Sequence, residues 1–307
     1  MKTICSIIKT VGVEATSDID QTSREADLNW EVREAPVVLP NGDTFPKKKL
    51  LLRSDNGAPL GIVGENYTPS TPRQFLERQY ELAEELGGKV IRVGFLPRSS
   101  RVFSIIGFKE DINIKVSDAK VGDVIRAFIY TTDGWDGATP IQSRLYLERL
   151  VCLNGMTSQK LHSSVWVSHT RNVSTRWDYR IGEFKKTLQD GITFLSERLN
   201  RLAETPMTVE EARGFFNALF PGDHPHRKKV RENLLNLFQN GIGNQGRTRY
   251  DALNAITEYE THHLRFRVSP AQLGEHRFLR VLGDNPLRDR AYEALLSEHF
   301  PSTPQNN

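Results

Sequence analysis

From Trp30 the chain alternates apolar and polar residues in short runs. The stretches "WEVREAPVVL", "KKKLLLRSD" and "PLGIVGENY" are separated by Asn41-Gly42 and Asn56-Gly57. An Asn-Gly pair between apolar runs supplies the positive backbone angles of a tight turn, so the spacing predicts two β-hairpins. Thr71-Pro72 then opens a helix with apolar Phe75, Leu76, Leu82, Ala83 and Leu86, closed by Gly87-Gly88. A second β region follows in "KVIRVGFL", "RVFSIIGFK", "INIKV" and "DVIRAFIYTT", before "DGWDG" reverses the chain. Residues 145–156 are apolar on nearly every side, which predicts a buried helix. "KLHSSVWVSHT" alternates and reads as a strand. Beyond it Trp177, Ile181, Phe184, Leu188, Leu195, Leu199 and Leu202 recur at three- and four-residue steps, the stripe of a long amphipathic helix.

From Thr208 the pattern is helical throughout: "TVEEARGFFNALF", "PHRKKVRENLLNLFQNG" after the breaker "PGDHP", and "RYDALNAITEYETHH". The expected fold class is α+β: an antiparallel β-sheet core of β-β-β-α order with a helical C-terminal region. The expected organisation is a flexible N-terminal segment at 1–28, an α+β core at 29–205, a helical region at 206–300 and a polar, disordered tail at 301–307.

Composition narrows the class. The 307 residues are 38% hydrophobic and 26% charged, the balance of a globular chain with ample core. No run approaches the ~20 apolar residues of a membrane span, and the N-terminal apolar patch lacks a cleavage site, so neither a membrane partner nor a leader is expected. Cys5 and Cys152 cannot build a disulfide framework or a thiolate metal site, which points to a reducing cytoplasm. The net charge of +3 is unevenly spread. Residues 141–186 hold eight basic side chains against three acidic ones, a local balance of +5. Further basic knots lie at 226–231 ("HRKKVR") and 246–250 ("GRTRY"). Concentrated positive charge suits a polyanion; a solvated helix face is the competing reading.

The chemistry of catalysis is hard to find. Cys152 has no histidine at a spacing that would activate it, and packing explains it without further assumptions. The eight histidines match no zinc spacing, and Asp133-Gly134 with Asp136-Gly137 lacks the ligand series of a calcium loop, so a turn is expected there. No phosphate-binding loop or G-x-S-x-G motif occurs. No catalytic residue, metal or cofactor is therefore expected. Binding is better supported. Trp166, Trp177 and Tyr179 are interleaved with basic residues, and cations plus aromatic platforms hold unpaired nucleic acid. The candidate interface comprises Arg144, Arg149, Lys160, His169, Arg171, Arg176, Arg180 and Trp177, with Arg247 and Arg249 from the third knot. Trp177 also begins the apolar stripe, so core packing competes with stacking there.

Several segments in fixed order ("LLLRSDNGAPLGIVGENYTP", "TTDGWDG", "RLVCLNGM", "SHTRN" and "YDALNAITEYETHH") resemble a phage/plasmid-like protein family catalogued as a domain of unknown function, the 932 family. The resemblance runs from about Trp30 to His263. Tyr250 and Trp135 stand where tryptophan and histidine are common in that family. The order of strands and helix is similar to the core of phage single-strand annealing proteins of the RecT, Redβ and Erf type. That similarity implies single-stranded DNA as partner, a homo-oligomeric ring or filament, and strand annealing without ATP. The rival expectations are an interaction protein of phage or plasmid maintenance, and a metal-dependent nucleic-acid enzyme built on Asp133, Asp136 and a histidine.

Overall fold

The structure, a computed structural model, describes residues 11–108, 114–115, 124–149, 155–157, 164–264, 268–282 and 286–297. Two antiparallel sheets and eight α-helices are present among these residues. The smaller sheet is β2 (Val32–Val38), β3 (Thr44–Arg53) and β4 (Pro59–Gly64). Both expected hairpins form, with Gly42 at φ 88° and Gly57 at φ 70°. The helix expected at Thr71 is α2 (Pro72–Glu85). Thr71 and Gln74 form a reciprocal capping box at its start, and Gly87 at φ 66° follows its end.

The larger sheet runs β1 (Val13–Glu14), β5 (Gly88–Leu96), β6 (Arg101–Phe108), β8 (Val124–Gly134), β9 (Ile141–Arg149), β10 (Gly155–Thr157). β7 (Ile114–Lys115) pairs with β8, and β11 (Ser164–Val167) pairs with β9. Helices cover both faces of this sheet. Phe75, Leu76 and Leu82 of α2 join Val102, Ile106, Ala127, Ile129 and Leu145 on one side. Phe278 and Leu282 of α7 (Pro270–Leu282) join Phe103, Phe128, Tyr130 and Tyr146 on the other.

That double burial corrects one expectation. The buried helix at 145–156 does not form: residues 145–149 continue β9 and residues 155–157 are β10, while Cys152 and its neighbours 150–154 lie outside the described residues. A strand buried on both faces needs no polar alternation, so Leu145 and Tyr146 enter opposite cores and the run imitates a buried helix. β10 and β11 stand between β9 and the next described helix, α3 (Val173–Glu204), so the order of elements differs from the expected β-β-β-α.

A second correction concerns the N-terminus. Residues 11–28 carry β1 and α1 (Ile19–Glu25), capped by the Asp18 carboxylate, and Leu28 is fully buried. The polarity that suggested flexibility serves local bonds: the Tyr80 hydroxyl donates to the Thr16 carbonyl, and Thr22 Oγ1 accepts from the Thr16 amide.

The C-terminal region is helical as expected: α4 (Val209–Leu219), α5 (Pro225–Asn240), α6 (Arg249–Glu258) with a π-helical turn at Tyr259–His263, α7 and α8 (Pro286–Leu296). α6 is buried on all sides from Tyr250 to Glu258, so the other helices form around it. The α3 stripe, α4, α5, α6 and α8 share one hydrophobic cluster with the sheets. Among the described residues no helix is long and apolar enough to cross a membrane.

Candidate functional site

β11 presents Val165 and Val167 inward and Trp166 outward, the period-2 consequence of a strand with one face on the core. Trp166 is 61% exposed. α3 follows, and its buried stripe of Val173, Trp177, Ile181, Phe184 and Leu188 fixes its rotation. Residues one step before that stripe, Arg176, Arg180, Glu183 and Thr187, then form a ridge beside β11 at three- and four-residue spacings, and Tyr179, one turn after Arg176, joins them. Strand and ridge flank an open groove of about 800 Å³. Tyr179 is 68% exposed, so two aromatic rings and two guanidinium groups face the same space. Arg176 donates to the Ser168 carbonyl at 2.5 Å and the Thr170 hydroxyl at 2.7 Å, bracing the turn between β11 and α3. Arg180 has no such partner among the described residues. Glu183 carries the one negative charge of the lining and pairs with Lys186 at 3.0 Å.

The structure sorts the predicted interface residues. Arg176 and Arg180 line the groove. Arg171 is exposed in the adjoining turn but does not line it. Trp177 is buried (2% exposed) as part of the stripe, so its ring is unavailable for stacking. Arg144 is buried in β9 and donates to Gln142, with its strand neighbours Tyr130 and Ser164 on either side. Arg149 ends β9, opposite Ile125, and its side chain lies outside the described residues, as does all of Lys160. Arg249 sits at the opposite end of α3: its amide donates to the Thr205 carbonyl, and its guanidinium caps α8 through the Leu295 and Ser297 carbonyls. At 1.5 Å per residue, Arg176 and Thr205 are about 40 Å apart along the helix, so Arg247 and Arg249 belong to a different surface. The groove's aromatics are Trp166 and Tyr179 rather than Trp177. Trp166 between two valines, and Tyr179 midway between the stripe residues Trp177 and Ile181, were the available signals.

His169 is also not a surface contact. It is buried, with Nε2 2.7 Å from Asp133 Oδ1, and Asp133 is fully buried. The Tyr67 ring stacks on the imidazole at 4.7 Å, and Nδ1 lies 3.2 Å from the Thr68 carbonyl. The imidazole and the carboxylate thus face each other within ion-pair reach at a place closed to solvent. Burial by itself lowers the affinity of the imidazole for its proton. The Asp133 carboxylate, the Thr68 carbonyl and the Asp136 charge outweigh it, and the histidine pKa is raised. Burial first, then the Asp133 and Asp136 charges, push the Tyr67 phenol upward.

Around this pair the motif segments converge. The Tyr67 hydroxyl donates to the Gly134 carbonyl, the Trp135 indole donates to the Ser70 carbonyl, and a Cβ on Gly61 would lie 2.3 Å from the Trp135 carbonyl oxygen. Asp136 closes the expected turn, accepting from the Ala138 and Thr139 amides and the Thr139 hydroxyl. It also meets Arg101, so Asp133 and Asp136 have separate partners instead of a shared ion site. Among the described residues no three histidine, cysteine or acidic side chains cluster as metal ligands would. The site is therefore a groove with a polar anchor beneath it: Ser168 lines the groove while the next residue, His169, is fixed to Asp133.

The sequence model of one family, described as Domain of unknown function (DUF932), matches residues 59–281. No curated protein and no solved structure matches the chain.

Proposed function

The chain belongs to the DUF932 family, and on that premise we propose that it binds single-stranded DNA in the groove between β11 and α3 and promotes annealing of complementary strands without ATP. The observation that carries the reading is the pairing of exposed Trp166 and Tyr179 with Arg176 and Arg180 along one open groove. Rings stack on any base, and guanidinium groups neutralise phosphates without reading sequence. The groove is open to solvent, so bases held there stay accessible to a second strand. Annealing then needs no covalent step: the protein aligns a strand and lowers the repulsion between two polyanions. Assembly into a ring or filament would repeat the groove along the strand.

The test is fluorescence annealing of two complementary oligonucleotides by the purified protein, without ATP, across a salt series. Acceleration that fades steeply with salt supports the reading. Absence of both binding and acceleration from folded protein refutes it and favours an acidic protein partner. Magnesium-dependent cleavage of the strands would favour the enzymatic rival.

A further inference from the structure

A second basic cavity lies in the helical region, outside the groove. One face of α5 contributes His226, Lys229, Val230 and Asn233, and the π-helical turn contributes Tyr259 and His263, around about 330 Å³ of open space. That volume is the lower end of small-ligand pockets. The polar lining is a primary ammonium, two imidazoles and an amide, with no carboxylate among the lining residues. Lys229 has no ion pair among the described residues. Val230 and the Tyr259 ring supply an apolar wall.

The π turn is an independent mark on the same place. The Leu264 amide donates to the Tyr259 carbonyl five residues back, and the Tyr259 and His263 rings lie parallel within 3°, their centroids 6.4 Å apart. A π turn departs from the preferred helical hydrogen bonding, and such turns are frequent at functional sites.

We propose that this pocket binds a phosphate monoester. At neutral pH that group carries about −1.5 to −2 charges on three acceptor oxygens. A compact ammonium binds phosphate as a point charge, and imidazole and amide donors beside it suit the several acceptor oxygens of a tetrahedral dianion. The same chemistry could reach the pocket as the terminal phosphate of a nucleic-acid strand or as a free nucleotide. The proposal does not depend on the groove.

The experiment titrates the full-length protein with inorganic phosphate, with a nucleoside 5′-monophosphate and with acetate, by calorimetry. Lys229→Met and His263→Gln, both at exposed side chains, are compared with the parent after a melting check. Saturable phosphate binding is expected, weakened about ten-fold in each variant, as for loss of one charge-assisted hydrogen bond. Affinity for a 5′-hydroxyl oligonucleotide should not change, which separates this pocket from the groove. A 5′-phosphorylated oligonucleotide that binds more tightly than its 5′-hydroxyl twin, in the parent but not in Lys229→Met, identifies a strand end as the source. Mononucleotide binding without that gain identifies a free nucleotide. No saturable phosphate binding, binding indifferent to both substitutions, or acetate binding as tightly as phosphate would overturn the proposal.

Discussion

Trp166→Ala separates stacking from charge in the groove. The indole is 61% exposed, so about two-fifths of it touches the protein. That covered part, about 100 Å² at roughly 25 cal/mol/Å², limits the folding cost to about 2.5 kcal/mol. The functional cost is of a different kind: removing one stacking platform costs about 1–3 kcal/mol of binding, or roughly 5- to 150-fold in affinity. No charge is removed, so the dependence of affinity on salt should not change. Arg180→Ala gives the complementary result. Its guanidinium is exposed and without partner among the described residues, so the fold is unaffected. For a single strand each neutralised phosphate contributes about 0.7 to the slope of log K against log salt, and the variant should lose about that much. The assay is fluorescence anisotropy with a labelled oligonucleotide, from about 50 to 200 mM salt, at a temperature where both variants are folded. Parental affinity in Trp166→Ala at every salt concentration would refute the stacking role. A parental slope in Arg180→Ala would remove the phosphate contact.

Three further outcomes test the surroundings of the groove. Glu183→Gln removes the negative charge of the lining and should tighten strand binding about two- to five-fold at low salt, as for an exposed charge; weaker binding would mean Glu183 contacts the strand favourably. Trp177→Ala should lower stability by about 3–5 kcal/mol in urea unfolding, because the ring is buried in the α3 stripe; a loss below 1 kcal/mol would contradict that packing. The raised pKa of His169 means the folded state holds its proton more tightly than the unfolded state. Its contribution is complete below about pH 6.5 and is lost as pH rises through the raised value. The melting temperature should therefore fall across that window, and Asp133→Asn should flatten the fall; superimposable pH profiles would exclude the pair as its cause.

The elements written in local chemistry were legible: the Asn-Gly hairpins, the Thr71 cap and the α3 stripe need only neighbours in sequence, because turn angles, capping and helical period act within a few residues. Residues 145–149 were not, because a strand covered on both faces and a buried helix share one apolar pattern, and the covering helices α2 and α7 lie far away in the chain. The candidate site divides in the same way. Basic and aromatic residues between 166 and 180 marked a candidate segment, but only the rotation of α3 on its core decided that Tyr179, Arg176 and Arg180 face the groove while Trp177 does not. His169 shows the limit most clearly, since a histidine amid arginines reads as a surface cation until Asp133 is brought beneath it. Sequence by itself determined the class, the periodic elements and the basic character of this protein. Which side chains meet, and which charges stay in water, was decided by tertiary packing, because burial depends on what arrives from distant parts of the chain.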